Sequence, residues 1–147
     1  MVTIMTIPVL ALILSVISLT WQAFTWVQAG ARLHVKYGWS IPVWLEEPVT
    51  YRSITVTNKG RSSTMVSSVT TVLPDKHHIP LPSDAFGRYA LPYELRPGES
   101  ISIHYQPDAI ERVLASQGIS PSTKIRPMAC SGHGDVRGKW VPAVREA

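Results

Sequence analysis

The chain opens with a continuous apolar run, and its remainder alternates between apolar and polar positions. Residues 4–27 are mostly Leu, Ile, Val, Phe, Trp and Ala, with a few Ser, Thr and Gln and no charge. As a helix these 24 residues would be about 36 Å long, more than the roughly 30 Å hydrocarbon core of a bilayer. Pro8 falls in the first turns, where a missing N–H costs little. The run predicts a single transmembrane helix.

A cleaved signal peptide is the alternative, because Val27-Gln28-Ala29 offers small residues at a spacing that suits cleavage. Two features argue against it. No Lys or Arg precedes the apolar run, and the run is longer than the usual apolar region of about 7–15 residues. We therefore expect an uncleaved anchor at residues 1–31, followed by one domain at residues 32–147.

Small and polar residues recur along one face of this helix at spacings of four and three. In lipid, small residues let helix backbones approach, and Gln can donate hydrogen bonds across helices. The pattern predicts a helix–helix contact with a second copy or with a partner's helix. Alternatively, the hydroxyls bond back to their own helix, and the Gln extends toward the membrane interface. The face consists of Ala11, Ser15, Ser18, Gln22, Thr25 and Ala29.

Beyond Ala31, short alternating runs separated by turn residues predict a mainly β domain: an antiparallel sandwich with one short helix. A change of parity between Tyr51 and Ile54 predicts a β-bulge. Asp108 is the expected N-cap of the helix, in a capping box with Glu111, and Gly118 marks the helix end. A loop with Phe86 and Leu91 as core anchors is expected at residues 83–92, and a turn at 131–138. The predicted strands cover residues 32–37, 49–57, 63–73, 78–81, 100–105, 124–130 and 139–144.

An apolar segment at residues 39–45 follows the predicted anchor closely and contains one Pro. Either the segment dips into the lipid headgroups, or its aromatic residues dock a protein partner. Alternatively, one of its two Trp residues fills the sandwich core and the other stays exposed. The residues proposed for contact are Trp39, Ile41, Val43, Trp44 and Leu45.

The charge distribution bears on topology. All 14 Lys and Arg, 10 Asp and Glu, and 5 His residues lie at Arg32 or beyond. Because Arg32 and Lys36 follow the helix, the positive-inside rule predicts a single-pass protein of the cell membrane, with its N-terminus outside and its β domain in the cytoplasm. The single Cys130 is compatible with the reducing cytosol. A net charge of +4 without a basic run gives no reason to expect a nucleic-acid partner.

The sequence offers little catalytic or metal-binding chemistry. Cys130 and His133 form a Cys-x₂-His pair, which His77 and His78 would complete into a zinc site if the folded loops met; otherwise these are surface His residues and a buried Cys. There is no Gly-x-Ser-x-Gly elbow and no glycine-rich phosphate loop. We expect no cofactor and no enzymatic activity. The alternative is a metal-binding sensor or a small hydrolase-like enzyme that uses these His and Cys residues.

Two short motifs within residues 49–105 resemble those of immunoglobulin-like domains in many bacterial surface and membrane proteins. They are ITVTNKG at residues 54–60, in which V-x-N-x-G ends an early strand, and LRPGES at residues 95–100, in which L-x-P-G-E opens a later one. The layout also resembles small membrane-anchored proteins of bacteria and phages without assigned activity. The resemblance implies an immunoglobulin-like sandwich at a membrane. We expect a membrane-tethered interaction or assembly module, with the lipid bilayer and either a protein partner or a second copy as its contacts.

Overall fold

The computed structural model describes residues 2–81, 83–106 and 108–144, with the exposure of side chains from Thr6 onward. Its chain divides into two compact units at Gly30 and Ala31. The first unit is helix α1 (Val2–Gln28), whose side chains from Thr6 onward are exposed except for the half-buried Thr25 and Gln28. Its segment Thr6–Gln28 is long and apolar enough to cross a membrane. The structure thus confirms the predicted long apolar helix.

The second unit contains two antiparallel sheets. The elements are β1 (Leu33–Ser40), β2 (Tyr51–Asn58), β3 (Thr64–Val72), β4 (His78–Pro80), β5 (Tyr93–Leu95), β6 (Ser100–Tyr105), α2 (Ala109–Ser116), β7 (Lys124–Ser131), β8 (Gly134–Arg137) and β9 (Val141–Pro142). The first sheet has the strand order β1-β2-β6 and the second β4-β3-β7-β8, with β5 paired to β3 and β9 paired to β7. The prediction of a mainly β domain with one further helix is confirmed.

The main core consists of alternate residues from both sheets. Burying one Val, Leu or Ile side chain stabilises a fold by about 1.5–3 kcal/mol, so these alternating runs hold the sheets together. A second cluster forms where α2 packs through Ile110 and Leu114 against Leu73, Ile79 and Ile125. The buried residues of the main core are Val35, Ile54, Val56, Ile101, Ile103 and Tyr105 from the first sheet, and Val66, Val69, Leu95 and Ala129 from the second.

The end of the chain differs from its prediction, because residues 139–144 do not form one strand. Gly134, with φ of +109°, closes a tight turn opposite Ser131, so β8 pairs with β7 at once. The β8 ladder stops before Gly138, where a Cβ atom would lie 2.7 Å from the carbonyl oxygen of Val35. After Gly138 the chain forms only the two-residue strand β9.

The three-residue strand β5 was not predicted, because so short a run shows no alternation.

The predicted bulge in β2 is wrong. The β1–β2 pairing is uninterrupted along both strands. The parity changes because Tyr51 lies on the outer face of the sheet and Ile54 on its core face. The register shift occurs instead in β3, between Val66 and Ser68.

The predicted capping box of α2 is also wrong. Asp108 is the N-cap residue, but its side chain makes no capping hydrogen bond. Its carboxylate pairs with Arg112 one turn later at 3.0 Å, and the Glu111 carboxylate pairs with Arg52 of β2 at 3.1 Å. The two carboxylates thus bind guanidinium groups rather than the backbone. The predicted helix end is confirmed, since Gly118 adopts φ of +69°.

Candidate functional site

The connection between β1 and β2, residues 41–50, carries a group of exposed apolar side chains. The Leu45 N–H donates to the Pro42 carbonyl at 3.3 Å, so that Val43 and Trp44 are the two central residues of a turn. Val43 is 93% exposed and Trp44 50%, and Ile41 is also exposed. We call residues 41–45 the apolar tip. Because the fold leaves Ile41, Val43 and Trp44 in solvent, they are available to a partner surface.

The strand end that precedes the apolar tip packs on a buried arginine through Trp39. The Arg52 guanidinium lies 4.1 Å from the centre of the Trp39 ring. Arg52 is 2% exposed and shares the core face of β2 with Ile54. It donates hydrogen bonds to the Tyr37 hydroxyl at 3.0 Å and to the Glu111 carboxylate at 3.1 Å. A third hydrogen bond goes to the backbone carbonyl of Ala143. A buried cation is tolerated when it is bonded in this way.

Tyr37 belongs to the same cluster, edge-on to Trp39 with ring centres 6.4 Å apart. Burial raises the pKa of the Tyr37 hydroxyl, and the hydrogen bond from Arg52 partly offsets that rise. Trp39, at 39% exposed, therefore sits at the rim of the sandwich and not in its core.

The tip itself rests on the outer face of the first sheet. The Trp44 ring stands edge-on to Phe86 at 5.7 Å and to His104 at 6.5 Å. The Arg88 guanidinium lies 4.1 Å from the centre of the Trp44 ring. Phe86 in turn contacts Tyr51 at 4.8 Å. Trp44 is thus outside the core as well, and the alternative that a Trp fills the core is wrong.

A buried carboxylate fixes the loop beneath Trp44. Asp84 accepts the backbone N–H of His104 at 2.7 Å and that of Arg88 at 2.8 Å. Ala85 donates its N–H to the His104 carbonyl at 2.8 Å. The His104 Nδ1 atom lies 3.7 Å from Asp84 Oδ1 and has no hydrogen-bond partner among the described residues. Residues 84–88 are therefore pinned to the outer edge of β6.

Sequence reasoning missed Asp84 and Arg88 and expected Phe86 in the core. The predicted loop is present, and Leu91 does pack against the main core. Phe86 lies on the outer face instead, against Tyr51. The available signal was the short spacing of a carboxylate, an aromatic ring and a guanidinium within residues 84–88.

The proposed zinc ligands are spread along the second sheet. His78 pairs with Val72 at one end of β3, whereas the His133 Nδ1 atom is hydrogen-bonded to the Thr64 hydroxyl at the other end, at 2.8 Å. Eight residues of strand separate these two positions on β3, which is about 26 Å. One metal ion cannot contact both His residues across that distance.

Cys130 and His77 are equally separate. Cys130 pairs with Ser68 midway along β3, and the His77 Nδ1 atom is bonded to the Asp75 carboxylate at 2.8 Å in an exposed turn. This hydrogen bond raises the pKa of His77 and lowers that of Asp75. Within residues 2–81, 83–106 and 108–144, no three His, Cys, Asp or Glu side chains are grouped so that they could hold a metal ion.

The polar face of α1 is bonded within its own helix. The Ser15 and Thr25 hydroxyls donate to carbonyls one turn earlier, at 2.8 and 3.0 Å. The Gln22 amide donates to the Ser18 hydroxyl at 3.3 Å. This is the geometry of the alternative described above. A contact of this face with a second helix stays a prediction.

No protein-family model matches the chain, and no curated protein is significantly similar to it. The functional argument therefore depends on the geometry of the apolar tip. In it, Ile41 and Val43 lie along the chain between Trp39 and Trp44. Each tryptophan is stacked on an arginine, and the two stacks are on opposite faces of the first sheet.

Proposed function

We propose that this protein is a membrane-tethered, non-catalytic interaction or assembly module of a bacterial or phage membrane complex. In this proposal α1 is the anchor, and the apolar tip docks a protein partner. The observation that carries it is the exposure of Val43 and Ile41 between the two Trp–Arg stacks. Apolar side chains held on a fixed base lose little conformational freedom on binding, which is how interface hot spots gain affinity.

The charges beside the tip favour a protein partner over the lipid surface. Two exposed carboxylates, Glu46 and Glu47, follow the tip directly, against one exposed guanidinium, Arg88, on the Trp44 ring. Anionic headgroups repel carboxylates, so insertion of this loop into an acidic bilayer is disfavoured. A partner with an apolar pocket flanked by positive charge suits the tip better.

An immunoglobulin-like sandwich is the scaffold that we propose for the β unit. The two sheet orders support it. In such sandwiches strands A, B and E share one sheet, and strands C, F and G share the other. Assigning β1, β2 and β6 to the first set and β3, β7 and β8 to the second reproduces both orders. The apolar tip is then the A–B loop at one end of the sandwich.

We also propose that the β unit faces the cytoplasm, because Arg32 and Lys36 follow the apolar helix. An exposed thiol tests this orientation. In a Cys130→Ser background, Arg96→Cys places one Cys on the surface. A membrane-impermeant thiol reagent should label it only after the cells are permeabilised. Labelling in intact cells contradicts the cytoplasmic placement.

Partner capture from native membranes tests docking. The full chain, solubilised in mild detergent, is used as bait with Val43→Asp and with Met65→Asp, which adds the same charge at an exposed apolar residue of β3. We expect Val43→Asp to lose a partner that the wild type and Met65→Asp both retain. Circular dichroism checks that both variants fold. Identical partners for all three proteins contradict docking through the tip.

A further inference from the structure

A groove of about 470 Å³ lies where the two sheets meet along one side. Strand β1 is at the end of the first sheet and β8 at the end of the second, so the groove is lined by both outer strands. Gly138 brings them close, because the position beside the Val35 carbonyl has no room for a side chain. We call this cleft the seam groove. Its volume is in the range of small-ligand sites.

The lining of the seam groove has one sign of charge. It includes four Lys and Arg residues, Lys36, Arg126, Arg137 and Lys139, together with His34, and no acidic residue. None of the four Lys and Arg residues is in an ion pair with a described carboxylate, whereas Arg52 and Arg112 both are. Asp135 of β8 does not line the groove. Unpaired cations around a concave surface attract an anion, because their potentials add there.

Arg126 is the cation whose guanidinium is held in a fixed position in the seam groove. The Arg126 Nε–H donates to the Gly138 carbonyl at 2.6 Å. Its guanidinium also lies 5.9 Å from the centre of the exposed Trp140 ring. Nε is thereby occupied, and the outer guanidinium nitrogens can donate to a ligand. Arginine in this state binds phosphate through two parallel hydrogen bonds, with Lys36 and Lys139 adding charge.

We propose that the seam groove binds the phosphate of anionic phospholipid headgroups. This rests on the proposed membrane anchor, since four residues, 29–32, join α1 to the strand that lines the groove. A short tether to the bilayer keeps headgroups at high effective concentration. Trp140 beside Arg126 has the amphipathic ring that is enriched at membrane interfaces.

A titration of the full chain in a neutral maltoside detergent tests this assignment. Short-chain phosphatidylglycerol, phosphatidylcholine and inorganic phosphate are added separately, and binding is followed by calorimetry. We expect phosphatidylglycerol to bind most tightly. Lys36→Gln with Lys139→Gln should weaken it roughly 25-fold, because each basic residue near an anionic surface contributes about five-fold.

The control variant is Lys76→Gln with Arg96→Gln, which removes the same charge from exposed positions outside the groove. We expect it to bind phosphatidylglycerol as the wild type does. Equal loss in the two double variants, or equal binding of phosphatidylglycerol and phosphatidylcholine, overturns the proposal. Tighter binding of inorganic phosphate, or displacement of the lipid by polyglutamate or an oligonucleotide at equal charge concentration, also overturns it.

Alkaline carbonate extraction distinguishes a failure of the seam-groove proposal from a failure of the proposed membrane anchor. Release of the wild-type chain from membranes contradicts the anchor itself. Retention of the chain, together with a failed titration, overturns the seam-groove proposal alone. Retention with a selective titration supports both.

Discussion

One tryptophan–arginine stack precedes the apolar tip and a second lies within it, and the two differ in burial. In both, the guanidinium lies 4.1 Å from the ring centre. Arg52 beneath Trp39 is buried and bonded to other side chains, whereas Arg88 on Trp44 is exposed. A cation–π contact is worth about 0.5–1 kcal/mol at an exposed site and about 2 or more when desolvated. The Arg52–Trp39 contact therefore contributes to the stability of the fold, whereas the Arg88–Trp44 contact only restricts the motion of a surface loop.

Replacing the two arginines tests this difference most strongly. Arg52→Ala should lower the free energy of unfolding by about 2–4 kcal/mol, because it removes the buried stack and hydrogen bonds to Tyr37 and Glu111. Arg88→Ala should cost less than about 1 kcal/mol. Denaturant unfolding of the full chain in micelles, followed by near-ultraviolet circular dichroism, measures both. Similar costs for the two variants contradict the distinction.

The exposed stack depends on a buried carboxylate, and Asp84→Ala removes it. This variant should lose about 1–3 kcal/mol, because the buried N–H of His104 is left without its acceptor. Amide exchange at His104 and Arg88 should accelerate. Asp84→Asn keeps one acceptor oxygen and should lose less. If Asp84→Ala costs no more than the exposed control Asp135→Ala, the loop is not held by this carboxylate.

A smaller effect is expected from the carboxylate that pairs with Arg52. The Glu111 side chain is 42% exposed, so solvent screens its attraction to the guanidinium. Glu111→Gln should cost less than about 1 kcal/mol, leaving most of the Arg52 contribution to its other partners. A double-mutant cycle with Arg52→Ala measures the coupling directly. A coupling as large as the whole Arg52→Ala effect would assign that effect to the ion pair.

The smallest effect on stability is expected from His77 and Asp75, an exposed hydrogen-bonded pair. Its contribution shows how little such a contact stabilises the protein when solvent surrounds it. Their hydrogen bond raises the pKa of His77 above 6.5 and lowers that of Asp75 below 3.8. The His77 contribution is complete below pH 6.5 and is lost as pH rises through the raised pKa. The Asp75 contribution is complete above pH 3.8 and is lost as pH falls through the lowered pKa.

Titration followed by nuclear magnetic resonance checks the exposed pair. In Asp75→Asn the pKa of His77 should return to about 6.5, its ordinary value. In the control Asp135→Asn it should stay raised. An unchanged His77 pKa in Asp75→Asn rules out the hydrogen bond as the cause.

Periodic patterns predicted most of the fold. Alternation located β1, β2 and β6, a run rich in Ser, Thr and Val located β3, and the spacing of Ile110 and Leu114 located α2. The patterns failed where a distant partner decided the outcome. The capping box is an example, since Glu111 bonds Arg52 from another element. A run of three residues, as in β5, also carries too little periodicity.

A partner or headgroup contact of residues 39–45 stays a prediction. The structure shows that Ile41, Val43 and Trp44 are exposed, and it shows two supporting arginines that the sequence analysis missed. Arg52 had a detectable signal, because it shares the parity of Ile54 and Val56 on the core face. A charged residue at a core position needs partners. The burial of Asp84 follows from no pattern of alternation, because its partners are backbone groups of β6 and of its own loop; only its short spacing to Phe86 and Arg88 marked it.

The contact between residues 84–85 and β6 bears on how copies behave together. Asp84 and Ala85 occupy both backbone groups of His104 at the open side of an outermost strand. Free groups there would accept a strand from another molecule. In the proposed membrane-anchored state, copies are confined to two dimensions and meet often. Because the backbone groups of His104 are bonded within the chain, they are not open to a strand from a neighbouring copy at this position.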